Sequence, residues 1–97
     1  MTEEGIIQKE IIERLRLKGA LVLRLNSGRA KNNVKLCPNG TPDLLVIMLN
    51  KLFWVEVKTK TGELNKDQKK MHLVLKAMGQ TVIVARSVDD VMGALNE

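Results

Sequence analysis

Asp43, Glu56 and Lys58 are the residues whose types and spacing could do chemistry. They lie in two apolar runs, Gly40-Thr41-Pro42-Asp43-Leu44-Leu45-Val46-Ile47 and Phe53-Trp54-Val55-Glu56-Val57-Lys58. Charges at the ends of such runs are costly unless paired or bound to metal. Hard divalent cations take carboxylate oxygens, and magnesium is satisfied by one or two of them plus water and substrate phosphate. An ammonium beside the pair can orient or help deprotonate a water and stabilise charge building on a phosphate. Two acids and a lysine brought together this way make a divalent-metal site for cutting phosphodiesters. The backbone carbonyl of Val57 could add one more oxygen. Taken singly, each residue also reads as an exposed charge at a strand end; the spacing of the three favours the site.

The elements that must position them follow from the pattern. Both runs are rich in Val, Ile, Leu and aromatics, and the polar break Asn50-Lys51 between them predicts a hairpin. Strand side chains alternate faces, so Glu56 and Lys58 share one and Val57 points away. A two-residue turn at Asn50-Lys51 sets Asp43 opposite Lys58; a turn at Leu49-Asn50 sets it opposite Glu56. Both registers put the three on one face, whereas a three-residue loop would send Asp43 to the other. Pro42 suits the first residue of a strand.

Helical spacing of Ile7, Ile11, Ile12 and Leu15 predicts a helix over about 2–18, capped by Thr2 and closed by Gly19. A strand is expected over about 20–26. The stretch 27–40 has little periodicity and reads as a long basic loop, of the kind that is usually functional or disordered. The hairpin strands are expected near 43–49 and 52–58. The first is apolar on both faces, which predicts a central strand covered by helices on both sides. A second helix, about 65–78, carries Met71, Val74, Leu75 and Met78 as its core stripe, with His72 beside it and no chemistry assigned to His72. A short strand, 81–85, and a helix capped by Ser87, with Val88, Val91, Met92 and Leu95 inward, complete the order α-β-β-β-α-β-α.

Length and composition bound the rest. Ninety-seven residues predict one domain spanning 1–97, and 44% hydrophobic residues allow a small core. The net charge of +5 biases the chain toward polyanions without identifying one. Only Phe53 and Trp54 are aromatic, too few for a single-strand stacking platform. The lone Cys37 excludes an internal disulfide and has no zinc-spaced neighbours. Without a signal-peptide pattern or a run long enough to span a bilayer, a cytoplasmic location in a bacterial or phage-infected cell is expected, with no membrane partner and no small-molecule cofactor.

Gly40-Thr41-Pro42-Asp43 followed by Val55-Glu56-Val57-Lys58 resembles the signature of the PD-(D/E)XK nuclease superfamily. The chain is most similar to its VRR-NUC branch, which also resembles archaeal Holliday-junction resolvases. Nearly the whole chain takes part: Glu4 and Gln8, Arg24 to Gly28, the hairpin, Leu64 to Gln68, and Gly79 to Ser87 fall in family order. The resemblance implies an α/β, restriction-endonuclease-like core, a mixed β-sheet flanked by helices. It implies a magnesium- or manganese-dependent endonuclease leaving a 5′-phosphate. Stand-alone phage and bacterial members look like homodimers acting on branched DNA, such as Holliday junctions, flaps or forks, in recombination and repair. Two copies about a two-fold axis would present two sites to two symmetric strands.

The family often sets an acid or amide of the first helix near the metal. Glu4 and Gln8, four apart and sharing a face, are the candidates; Glu4 also reads as a helix-dipole acid. Gln68 matches a family glutamine near the scissile phosphate. Its rival reading is the capping box of Asn65-Lys66-Asp67-Gln68. Arg24, Ser27, Gly28, Arg29, Lys31, Lys35 and Lys60 are candidate DNA-binding residues, making phosphate contacts that depend on salt and read no sequence. The basic loop serves equally well a different function, a non-catalytic DNA-binding or targeting module of a replication or repair assembly. The intact Asp43, Glu56 and Lys58 set favours the enzyme.

Overall fold

The architecture comes from a computed structural model, which describes residues 1–25 and 37–96. Helix α1 spans Glu3–Leu17 and starts at Thr2, whose hydroxyl accepts from the Gly5 amide at 3.0 Å. Its inward stripe is Ile11, Ile12 and Leu15, as the spacing predicts. The chain leaves through Gly19 at φ +85°, a left-handed exit that suits glycine.

Four strands follow: β1 (Leu21–Arg24), β2 (Leu44–Met48), β3 (Lys51–Val57) and β4 (Val82–Ala85), in spatial order β1-β2-β3-β4. The first three are antiparallel, and β4 joins β3 in parallel through helix α2 (Lys66–Ala77). Helix α3 (Val88–Leu95) ends the described chain. The sheet is therefore mixed and flanked by helices, in the order read from the sequence.

The hairpin turns at Leu49-Asn50, since Met48 pairs with Lys51 and Leu44 with Val55. Asn50 takes φ +60°, which an asparagine tolerates well. Of the two registers open from the sequence, this is the one that brings Asp43, one residue before β2, toward Glu56.

One face of the sheet is sealed. Val22, Leu44, Val46, Phe53, Val55, Val57 and Ala85 form the core with Ile11, Ile12 and Leu15 of α1 and Val91 of α3. The other face differs from expectation. Glu56 is met there by Gln68 and His72 of α2, so α2 lies on that side at the β3–β4 half. The β1–β2 half is open: Leu21, Leu23 and Ile47 are exposed. Among the described residues, the central strand β2 is thus covered by helices on one side only. A pattern apolar on both faces says that both dislike water, not that both are met by this chain.

Helix α2 also corrects the sequence reading. Its single buried residue is His72, while Val74 and Met78 are exposed. Among the described residues, no helix is long and apolar enough to cross a membrane.

Candidate active site

The site forms where β2 begins and β3 ends. Asp43 reaches across the hairpin and its Oδ2 accepts the Val57 amide hydrogen at 2.8 Å. That bond holds the carboxylate at the end of the strand, one step from Glu56. Glu56 is 1% exposed, an unusual position for an acid. Its Oε1 lies 3.1 Å from His72 Nε2, and its Oε2 accepts a long 3.4 Å hydrogen bond from Gln68 Nε2.

These surroundings keep Glu56 protonated. Burial pushes its pKa from 4.5 up to about 9, helped by the charge of Asp43 and a hydrogen bond to it, and more weakly by Glu4. Lys58 acts in the opposite direction. Burial, with the charges of Lys76 and Lys58, lowers the pKa of His72. The His72–Glu56 contact has ion-pair distance, but burial favours the neutral form of both, so the metal-free contact is a hydrogen bond between a carboxylic acid and an imidazole.

Gln68 meets both of its readings at once. Its Oε1 accepts from the Asn65 amide at 2.9 Å, its own amide donates to Asn65 Oδ1 at 2.9 Å, and the capping box is complete. Because the box engages the oxygen, the amide NH2 is the end left to face Glu56. Capping and site contact are one arrangement.

Two further features brace the site. Gly40, at φ +87°, brings the loop before Asp43 against the first turn of α2; an added Cβ there would run into the Asp67 carbonyl. Arg86 Nη1 donates at 2.6 Å to the carbonyls of both Thr59 and Gly62, pinning the loop that follows Lys58 to the end of β4. Sequence reasoning assigned no role to Arg86 or His72. For Arg86 the only signal is a cation one residue past a strand; for His72, a histidine among apolar neighbours on the sheet-facing side of a helix.

The other expected residues fall as follows. Glu4, in the first turn of α1, is close enough to act on Glu56. Gln8, one turn on, lines a recess of about 470 Å³ with Lys9, Arg16 and Arg24. Lys60 lies beyond β3, which ends at Val57, so the face it would have shared does not reach it. Ser27, Gly28, Arg29, Lys31 and Lys35 lie outside the described residues. The described residues on either side of them, Leu25 and Cys37, meet beside Asp43: Cys37 Sγ lies 3.3 Å from the Leu25 carbonyl, and the Leu25 amide donates to the Asp43 carbonyl at 2.9 Å.

The donor set suits a hard divalent cation. The charge of Asp43 helps push the Glu56 pKa up, so a cation between the two carboxyls could take the place of the Glu56 proton. Among the described residues no group of three or more His, Cys, Asp or Glu could cage a metal. Magnesium needs no such cage, since it keeps waters and takes substrate phosphate.

The model of the VRR-NUC domain matches residues 2–89. The chain belongs to the VRR-NUC family. A solved structure described as a VRR-NUC domain is 31% identical, with a TM-score of 0.78, over 100% of this chain and 98% of that one. No curated protein matches the chain. As a VRR-NUC domain the chain is a nuclease-family domain, and the Asp43, Glu56, Lys58 and Gln68 positions all fall inside the matched region.

Proposed function

We propose that this VRR-NUC domain is a metal-dependent, structure-specific endonuclease that hydrolyses phosphodiesters in branched DNA. The observation that carries the reading is Glu56: a buried acid whose pKa is raised by burial and by the charge of Asp43, with the charge of Lys58 and the amide of Gln68 beside it. A buried, strongly perturbed carboxyl with specific charged neighbours is the mark of a working group.

Asp43 and Glu56 would hold magnesium or manganese, with the Val57 carbonyl and Glu4 or Gln8 as further donors. The ion supplies Lewis acidity toward a phosphate ester and its attacking water. Lys58 orients that water and offsets charge on the phosphate; the Gln68 NH2 steadies a phosphate oxygen. His72 holds the Glu56 carboxyl in place. Arg24, Ser27, Gly28, Arg29, Lys31, Lys35 and Lys60 would track the DNA backbone, so binding weakens with salt. In-line attack would leave a 5′-phosphate. Four-way junctions, flaps and forks are the substrates proposed, with two copies serving two strands in recombination or repair.

The test is cleavage of a panel of branched DNAs with magnesium or manganese, product ends mapped. Asp43→Ala or Lys58→Ala should lower cutting by at least about 10²-fold while leaving binding in calcium nearly intact. Binding without cutting on every substrate would favour the targeting-module reading instead.

A further inference from the structure

We infer that Arg86 is a positioning residue for the reaction: it closes the turn 59–62 against the stem of Lys58 and so sets where the Lys58 ammonium stands. The catalytic consequence rests on the nuclease reading; the positioning does not.

The backbone of Lys58 is fixed at the end of the sheet. Its amide donates to the Ala85 carbonyl at 2.9 Å, just past the last β3–β4 pair, Val57 with Ala85. The side chain is a separate matter, since a lysine stem is four carbons long and flexible. An ammonium that must meet one water and one phosphate oxygen acts well only if that stem is held. The charge of Lys58 acts on both Glu56 and His72, so the stem carries its ammonium toward the acids.

The turn supplies the hold. The Gly62 amide donates to the Thr59 carbonyl at 3.3 Å and to the Thr59 hydroxyl at 3.0 Å, which closes the loop on itself. A Cβ built on Gly62 would lie 3.7 Å from Lys58 Cδ and 2.9 Å from Thr59 Oγ1. The lysine stem therefore runs beside the glycine, and the turn has no room for a larger residue there.

Arg86 keeps that turn shut. Its Nη1 donates to the carbonyls of Thr59 and Gly62 at 2.6 Å each, with the Lys60 carbonyl farther off at 3.5 Å. Carbonyl dipoles aimed at one point repel, and a guanidinium placed there turns the repulsion into charge-assisted hydrogen bonds. Among the described residues Arg86 makes no ion pair, so its charge is given to the turn and not to a carboxylate. Arg86 is itself anchored: its amide donates at 2.8 Å to Oδ2 of Asp90, in the first turn of α3. One residue after the Ala85 carbonyl that fixes the Lys58 backbone, the chain thus fixes the wall along the Lys58 stem.

Two measurements on the full chain distinguish positioning from mere bracing. NMR relaxation of the lysine ε-methylenes reads the stem directly, with the exposed Lys60 as reference. Lys58 should be more ordered than Lys60 in wild type and fall to the level of Lys60 in Arg86→Ala. In cleavage of a DNA flap with magnesium, at equal folded protein, Arg86→Ala should lower kcat at least about tenfold and leave KM within about twofold. Arg86→Lys, which keeps charge and donors, should recover most of the order and the rate. Gly62→Ala crowds the Thr59 hydroxyl with Arg86 in place; it should loosen Lys58 and lower kcat likewise, and it carries the test if Arg86→Ala does not fold. A wild-type Lys58 as mobile as Lys60, or a Lys58 equally ordered in wild type and in the folded variants, overturns the proposal. So does an unchanged kcat in a variant whose Lys58 has loosened. Loss of Lys58 order in a protein that cuts no DNA would uphold the positioning and remove the nuclease reading.

Discussion

At the scale of single residues, Glu56 sets the behaviour. The unfolded chain releases its proton near pH 4.5, while the metal-free native state keeps it to about 9. Between those values the native state binds the extra proton, so stability falls as pH rises. The stabilisation is fully present below about 4.5 and gone above about 9, with a slope of at most about 1.4 kcal/mol per pH unit. In chelator, melting temperature should decline from pH 5 to 9, and Glu56→Gln should flatten the decline. That variant should be more stable than wild type at pH 8 yet unable to cut. Magnesium should stabilise wild type more at pH 8 than at pH 5, because at the lower pH it competes with the proton. Had Glu56 been an ordinary exposed acid, neither the slope nor the rescue would be seen. His72→Ala should destabilise by about 1–3 kcal/mol, since the Glu56 carboxyl loses a buried partner; urea unfolding at pH 7 measures it.

At the scale of elements, the site depends on how the loop before β2, the loop after β3 and helix α2 meet. Gly40→Ala should cost at least about 2 kcal/mol, from a left-handed conformation and the collision with the Asp67 carbonyl, and should lower cutting by more than the loss of folded protein explains. Arg86→Ala should cost about 1.5–3 kcal/mol, because two carbonyls lose a charged donor. Hydrogen exchange should then quicken over residues 58–62.

The hairpin was legible in advance because strand periodicity is two: both even registers gave the same face, and only the turn residues remained open. The nearness of Asp43 to Glu56 and the capping role of Gln68 were legible by spacing. What escaped reading has physical causes. His72 was passed over because Met71, Val74 and Met78 match helical spacing by hydrophobicity alone, whereas α2 turns toward a carboxyl and buries the side chain that can bond to it. The bare half of the sheet escaped because apolar alternation does not say which molecule covers it. Arg86 acts on backbone carbonyls, which leave no trace in a residue pattern.

At the scale of the whole molecule, a +5 chain facing a polyanion should bind with strong salt dependence. Replacing Lys31 or Lys35 by alanine should weaken binding to all DNA sequences alike and reduce the slope of log K against log salt by roughly one each, read by fluorescence anisotropy in calcium. Unchanged slopes would remove those lysines from the phosphate-contact set. The sheet also divides the labour: one side is sealed into the core, and the other carries Glu56 beneath α2 and the exposed Leu21, Leu23 and Ile47.

The doubled duty of Gln68 has a consequence for dynamics. Its oxygen begins α2 and its nitrogen touches Glu56, so an occupant that captures the carboxyl or the amide must tug on the opening turn of a helix. Fraying of that turn and occupation of the space beside Glu56 are then thermodynamically linked, and the amides of residues 66–69 become a built-in gauge of whether that space is filled.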